Sequence, residues 1–405
     1  MGRIFLAFTT TALLLAGAST AALAQAPACR NTGNFERWLA DFKREAASQG
    51  ISPSAIAAAS PYLVLDQRII NIDRGQRFFS QNFLEFSGKM VPVYRMQTGA
   101  AQIKKNQALF QRVEKDFGVP AAVITAFWGL ESDFGADQGK DHAIRSLATL
   151  AYDCRRSEMF RGHLFDGLRL IERGDLRAEE MIGSWAGELG QTQMMPSEYF
   201  QNALDYDGDG RRNLIKSVPD VLGSTGKYLV HLGWRRGEPW LQEVRVPAKL
   251  AWDQADLSIQ HPRSQWAHWG LTRADGRPLE GDAMPASLVL PMGRFGPAFL
   301  AYNNFQVYLK WNQSLMYSLT AAYYATRLEG APAMQRANAE IPKLGFEETR
   351  ELQQILQRMG HDVGRIDGVL GLKSRIAVKQ VQVKFGMPAD SWPTPDLLSR
   401  LRGSR

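Results

Sequence analysis

The chain is poorly equipped for several common chemistries. Only two cysteines occur in 405 residues, too few for a thiolate zinc site. The six histidines are scattered, and none lies in an HExxH arrangement, so a metalloprotease-type centre is excluded. There is no GxxxxGKS/T loop and no GxSxG turn. Nucleotide phosphates and a serine triad therefore lack their usual supports. Lys and Arg (48) outnumber Asp and Glu (41), but the net +7 is spread along the chain without a basic block. Nucleic acid is not an expected partner, whereas an anionic polymer is compatible with this balance. Gly (36) and Pro (19) are ordinary in number, which removes collagen-like and low-complexity readings. No apolar run beyond the first 24 residues is long enough to cross a bilayer.

What is present describes a folded, exported protein. Hydrophobic residues make up 45% and charged residues 22%, and the length suits two or three domains. Arg3, the apolar run Ile4 to Leu15 and Ala22-Leu23-Ala24 have the order of a secretory signal peptide over residues 1–24. A retained anchor would need a longer run. Ala26-Pro27-Ala28 before Cys29 lacks the Leu of a lipidation site, so the product is expected to be soluble. In an oxidising compartment an even cysteine count favours a disulfide between Cys29 and Cys154. The alternative is two separate thiols.

Helical spacing marks residues 34–50, with Phe35, Trp38, Leu39 and Phe42 on one face. Helices are also expected over 100–117, 120–132, 159–173, 219–232 and 314–328. Residues 238–297 carry seven prolines and short β-like pieces such as Glu243 to Val246 and Leu288 to Leu290, which predicts an irregular insertion with short strands. Residues 331–345 suit a linker. The last 60 residues form their own unit. Leu352, Ile355, Leu356 and Met359 make one helical face, and Ile376, Val378, Val381, Val383 and Phe385 make another. A third helix is expected from Pro395.

Three places could carry chemistry. Glu131 follows an apolar run, with Phe127, Trp128 and Phe134 on its face if the helix continues. A carboxyl among aromatics loses water, its pKa rises, and it can act as a general acid near neutrality. The bland alternative is a helix-end Glu facing solvent or an Arg. Ser184 to Pro196 (SWAGELGQTQMMP) places Ser184 and Gln193 among small and apolar residues, where they could bond a ligand or simply line a tight packing corner. Asp205, Asp207 and Asp209 before Gly210 match the start of a calcium loop. Position 12 is Lys216 instead of Glu, and Asp220 comes too late. Either a cation or Arg211 and Arg212 must offset three clustered charges. Trp311, Asn312 and Tyr317 have the mixture of rings and amides found in sugar grooves, although core packing with a Ser314 cap also accounts for the segment.

Taken together, GVPAAVITAFWGLESDFG at 118–135, GELGQTQMMPSEY at 187–199, DYDGDG at 205–210 and NNF…WNQSLMY at 303–317 resemble lytic murein transglycosylases of the B type. LQQILQRMGHDVGRIDGVLGLKSRIAVKQVQVKFGM at 352–387 resembles the three-helix peptidoglycan-binding domain, with Ser374 where Thr is usual. The resemblance implies a mainly α fold: an α+β lysozyme-like catalytic domain over 25–330 with a short-stranded insertion, a linker over 331–345 and a binding domain over 346–405. It implies a periplasmic enzyme on peptidoglycan glycan strands, with cell-wall enzymes as further partners. It places the catalytic role on Glu131 and groove roles on Ser184, Gln193, Tyr228, Trp311, Asn312 and Tyr317. Trp311 stands where relatives have Tyr. No cofactor is required, and a structural calcium would use Asp205, Asp207, Asp209 and Asp220. A hydrolytic muramidase and a non-enzymatic wall-binding scaffold are the alternatives.

Overall fold

The computed structural model describes residues 33–75, 81–334 and 340–403. The expected signal peptide and Cys29 lie outside these residues. No free cysteine occurs among those described.

The molecule is mainly helical and built around one helix, Ala121–Ser132, which is buried on every side from Ala122 to Leu130. A helix apolar all round must be covered all round. The helix Leu315–Leu328 packs along it, and Val93–Lys105, Gln107–Phe117 and Val218–His231 supply the rest of the cover. The expected helix over 100–117 is two helices broken at Asn106. The central helix stops at Ser132 because Asp133 (φ 51°) and Phe134 (φ 63°) turn left-handed. Phe134 therefore does not extend the face of Glu131. Its ring folds back under Gly129, where an added Cβ would meet Phe134 Cζ at 2.9 Å.

Two very short strands, β1 (Asp141–His142) and β2 (Ile182–Gly183), pair antiparallel. They pin the segment that follows, residues 184–196, beside the central helix. The insertion forms an antiparallel sheet of β3 (Leu241–Arg245), β4 (His261–Pro262), β5 (Thr272–Arg273), β6 (Pro285–Val289) and β7 (Ala298–Ala301), in the order β4-β6-β7-β3-β5. Its register sets Leu288 and Gln242 on either side of Leu300. Trp266, Leu288 and Leu300 are fully buried in a core of the sheet's own. The short-stranded insertion is thus borne out, although its last strand, Ala298–Ala301, lies wholly beyond the expected end at 297.

The C-terminal unit contains the three expected helices, Phe346–Arg358, Leu372–Lys384 and Pro395–Gly403. Leu352, Leu356, Val378 and Val381 fill its core. Ile376 (40% exposed) and Val383 (56% exposed) do not, and Ala377 takes the inward position instead.

This unit is bolted to the sheet. The Arg375 guanidinium is buried and donates to Pro291 O (3.0 Å) and Leu290 O. Lys379 reaches Asp256 (2.9 Å), and Arg294 reaches Asp390 (3.0 Å). Burial pushes the Arg375 pKa down to about 10, opposed by Asp390 and Asp256. A cavity of about 490 Å³ lies between the unit and the N-terminal part of the chain, lined by Asn82, Phe86, Ser314, Phe346, Leu372 and Trp392.

Removing the guanidinium strands two buried carbonyls. Arg375→Ala is expected to cost about 2–4 kcal/mol, read as a lower urea midpoint. Lys379→Ala, whose partner Asp256 is less buried, is expected to cost less.

Candidate active site

Glu131 sits in the last turn of the central helix. Its Oε1 accepts from Trp311 Nε1 (2.8 Å) and from the Tyr317 hydroxyl. Burial raises its pKa to about 7, the Tyr317 and Trp311 bonds pull it back, and the nearby charge of Glu188 raises it further. Such a carboxyl holds a proton at neutrality and can still release it.

The two donors arrive from one corner. The helix Phe305–Trp311 ends at Asn312, and Ser314 caps the next helix by accepting from Tyr317 N (3.3 Å). Asn312 Oδ1 accepts from Ser314 N (2.9 Å), so this amide shapes the corner. The Trp311 ring stacks on Phe127 (4.3 Å between centroids, 28°) and leans on Tyr228 (5.3 Å). The indole thus donates its N–H to Glu131 while its ring is held by Phe127.

Ser184 opens a tight turn. Its N–H donates to Glu188 O (3.0 Å), and an added Cβ on Gly183 would meet that oxygen at 1.9 Å. Only glycine allows this approach. Ser184 Oγ donates to Glu188 Oε2 (2.8 Å) and accepts from Ala186 N and Glu188 N, both at 3.2 Å. Gln193, at φ 47°, turns its amide N–H₂ onto Gly190 O (2.8 Å) and Gln138 O (3.2 Å). Gln191 ties this segment to the central helix. Its Oε1 accepts from Trp128 Nε1 (2.8 Å), and its carbonyl accepts from Ser132 Oγ (2.5 Å).

The structure therefore brings Glu131, Trp311, Tyr317 and Tyr228 into one cluster and sets the Ser184 turn beside it through Glu188. Glu188 and Gln191 lie within the GELGQTQMMPSEY segment, but no role for either follows from the sequence alone. A carboxylate between Gly187 and an apolar Leu189 was the available signal for Glu188.

Away from this cluster, Asp205, Asp207 and Asp209 converge, each with a carboxylate oxygen within 4.8 Å of the others. Asp220 does not join them. It is fully buried and accepts from Tyr206 N and Asn213 N, both at 2.7 Å. The basic neighbours make their ion pairs elsewhere, although Arg211 still feels the charge of Asp209. Arg211 and Lys216 pair with Glu180 (2.7 and 3.1 Å), and Arg212 pairs with Asp175 (3.0 Å).

A mainly helical fold with one glutamate of raised pKa held in an aromatic corner has the makings of a glycosidase-like protein of the lysozyme type. The chain belongs to the Transglycosylase SLT domain family, which it matches over residues 34–326, and residues 347–401 match a peptidoglycan binding domain. It is 30% identical over 243 residues to membrane-bound lytic murein transglycosylase B of Escherichia coli K12, covering 58% of this chain and 64% of that protein. The match thus spans less than two thirds of that relative. SltB3 of Pseudomonas aeruginosa, solved in complex with NAG-anhNAM-pentapeptide and with NAG-NAM-pentapeptide, is 38% identical with a TM-score of 0.84. The match covers 91% of this chain and 99% and 100% of the two solved chains. The Escherichia coli lytic transglycosylase Slt35, solved in complex with calcium, shares the fold at 24% identity and a TM-score of 0.62, over 74% of this chain and 93% of that one.

The Trp311 and Tyr317 bonds favour ionised Glu131, so losing one raises its pKa. Trp311→Phe is expected to move the alkaline limb of the kcat/KM profile to higher pH by about one unit. A pH–rate series on peptidoglycan checks it.

Proposed function

We propose that this chain cleaves the β-1,4 bond between MurNAc and GlcNAc in peptidoglycan by intramolecular transglycosylation, leaving 1,6-anhydro-MurNAc ends. The observation that carries the reading is Glu131, a buried carboxyl with a pKa of about 7 and two donors on one oxygen. One group in that state can serve as acid and then as base.

Glu131 gives its proton to the glycosidic oxygen as the C1–O bond breaks. The substrate's acetamido oxygen closes on C1 and carries the positive charge. Glu131, now ionised and steadied by Trp311 and Tyr317, takes the proton of the C6 hydroxyl. The C6 oxygen attacks C1, and the acetamido oxygen leaves. An intramolecular nucleophile outcompetes water through its high effective molarity. Tyr228 and Trp311 offer faces for sugar rings, and Gln193 and Asn312 offer amide groups at the groove edge. Ser184 borders the same groove. SltB3, bound to both an anhydro and a non-anhydro muropeptide, supports this choice over hydrolysis.

The residues up to 24 act as a signal peptide that delivers the chain to the periplasm, where a Cys29–Cys154 bridge can form. Among the described residues no helix is long and apolar enough to cross a membrane. The division into a catalytic domain over 25–330, a linker over 331–345 and a glycan-strand-binding unit over 346–405 belongs to the same reading, as do encounters with other cell-wall enzymes. The chemistry needs no cofactor. Asp205, Asp207 and Asp209 take a structural calcium, because hard carboxylate oxygens converge there and no ion pair to them is formed among the described residues, whose nearby cations are held by Glu180 and Asp175.

Glu131→Gln keeps shape and removes the titrating proton. Its rate on purified peptidoglycan is expected to fall by about 10²–10⁴ with the thermal melt unchanged. Wild-type activity should decline as pH rises through about 7, because the acid form of Glu131 is then lost. Mass spectrometry should find product ends lighter by one water than hydrolysis would give.

Calcium binding the folded state alone should raise stability, by about 2.7 kcal/mol at a hundredfold excess over Kd. With Lys216 in place of a bidentate Glu, a Kd of about 10⁻⁴–10⁻³ M is expected. Thermal melts with chelator and with millimolar calcium should differ for the wild type and coincide for Asp207→Ala.

A further inference from the structure

The central helix closes one residue after Glu131, on a backbone that its side chains resist. Asp133 and Phe134 are both left-handed (φ 51° and 63°), where glycine is usual. A bulky residue such as Phe is an outlier there. Such a pair persists only where its surroundings hold it.

Phe134 is held by packing, edge-on to Trp128 (5.6 Å between centroids, 83°) and against Gly129. Asp133 is held by Arg95. The Arg95 Nε donates to Asp133 Oδ1 (3.1 Å), and its two other nitrogens donate to Met90 O (2.5 Å) and to the Tyr94 hydroxyl (3.3 Å). This side chain is 13% exposed, and no other cation pairs with Asp133 among the described residues. The Arg95 carbonyl in turn accepts from the Tyr324 hydroxyl (2.7 Å). Gly99 permits that approach, because an added Cβ would meet the same hydroxyl at 2.6 Å. Tyr324 lies seven residues, or about two turns, beyond Tyr317 on the helix Leu315–Leu328. One helix therefore donates to Glu131 through Tyr317 and anchors Arg95 through Tyr324.

We propose that Arg95 is a positioning residue for the reaction: its guanidinium locks Asp133 in the left-handed turn and so fixes the last helical turn, from which Glu131 meets Trp311, Tyr317 and the glycosidic oxygen. The proposal rests on Glu131 as the acid. Helix ends fray in their last turn, and Glu131 stands in that turn. The bond from Ser132 Oγ to Gln191 O ties the helix end at one point, and the Arg95–Asp133 pair ties it at a second. Two ties from different segments fix a direction that one leaves free. Without Arg95, Asp133 can leave the left-handed region, and the end of the helix shifts with it. A misplacement of about 1 Å at a reacting group can cost about 10² in rate.

The groups that act on the Glu131 pKa besides burial are Tyr317, Trp311 and Glu188. Asp133 faces Arg95 and acts on Tyr324. Arg95 thus bears on Glu131 through geometry: when the helix end loosens, the Trp311 and Tyr317 bonds weaken, and the Glu131 pKa rises.

The test compares the wild type, Arg95→Met, Arg95→Lys, Asp133→Gly and the double variant Arg95→Met/Asp133→Gly on purified peptidoglycan, with kcat, KM, pH profile and thermal melt for each. Arg95→Met keeps the stem and removes the donors. Its kcat should fall by about 10–10² with KM within about threefold, and its alkaline limb should move to higher pH. Arg95→Lys can bond Asp133 but does not reproduce the planar fork, so it should lose less. Asp133→Gly adopts the left-handed turn without a clamp and should also lose less than Arg95→Met. Adding Arg95→Met to it should cost little more. Two results overturn the proposal. One is wild-type kcat with an unmoved alkaline limb in both Arg95 variants. The other is a loss from Arg95→Met that is undiminished when Asp133→Gly is already present, which would mean that Arg95 acts through Met90, Tyr94 or the sugar. If Arg95→Met melts too low to assay, Arg95→Lys, alone and with Asp133→Gly, is judged by the same two criteria. Failure of the underlying reading looks different: Glu131→Gln would turn over at the wild-type rate, whatever the Arg95 variants do.

Discussion

The site depends on one carboxyl held between two opposing demands. Burial keeps Glu131 protonated, and the Trp311 and Tyr317 donors keep its ionised form within reach. Without burial it would already be ionised at neutrality and have no proton to give. Without the donors it would not give the proton up. The surrounding architecture serves this balance. The central helix is apolar on all sides, so it must be wrapped, and the wrapping places Glu131 among rings. The helix that covers it also begins at the corner that delivers Trp311 and Tyr317.

Much of this was legible in the sequence, for identifiable reasons. The central helix announced itself as an unbroken apolar run ending in a carboxylate. Helices with a clear apolar face, such as Phe35–Ser48 and Val218–His231, lie within a residue or two of the expected ends. The insertion was marked by proline and short β-branched pieces. What escaped was set by single residues or by tertiary contact. Nothing in the periodicity of 100–117 signals the break at Asn106. Phe134 has helical spacing from Glu131, yet two left-handed residues turn it away. Ile376 and Val383 have the right chemistry for a core but face outward, since their helix turns its other side to Leu352 and Leu356.

The acidic loop shows why a local charge count misleads. Arg211, Arg212 and Lys216 stand within a few residues of three aspartates, and proximity in sequence suggests neutralisation. In the fold, each is drawn instead to Glu180 or Asp175, whose side chains are far more buried than the loop. A buried carboxylate without a partner costs more than an exposed one, so the limited supply of cations goes to the interior. The three loop aspartates, two of them exposed and Asp205 part-buried, are left to backbone N–H groups and to Ser217.

The same logic changes how the C-terminal unit relates to the catalytic half. A module on a free tether raises local concentration through its linker alone, with an orientation that averages out. Here Arg375, Lys379 and Asp390 are spent on the contact with the sheet and are at least nine-tenths buried. Buried guanidinium and ammonium groups are costly without acceptors, and the acceptors that hold these two come from the other unit. The contact is therefore specific in position and angle. The three helices and the sheet meet through buried charges held by acceptors across the junction, and not through the linker alone.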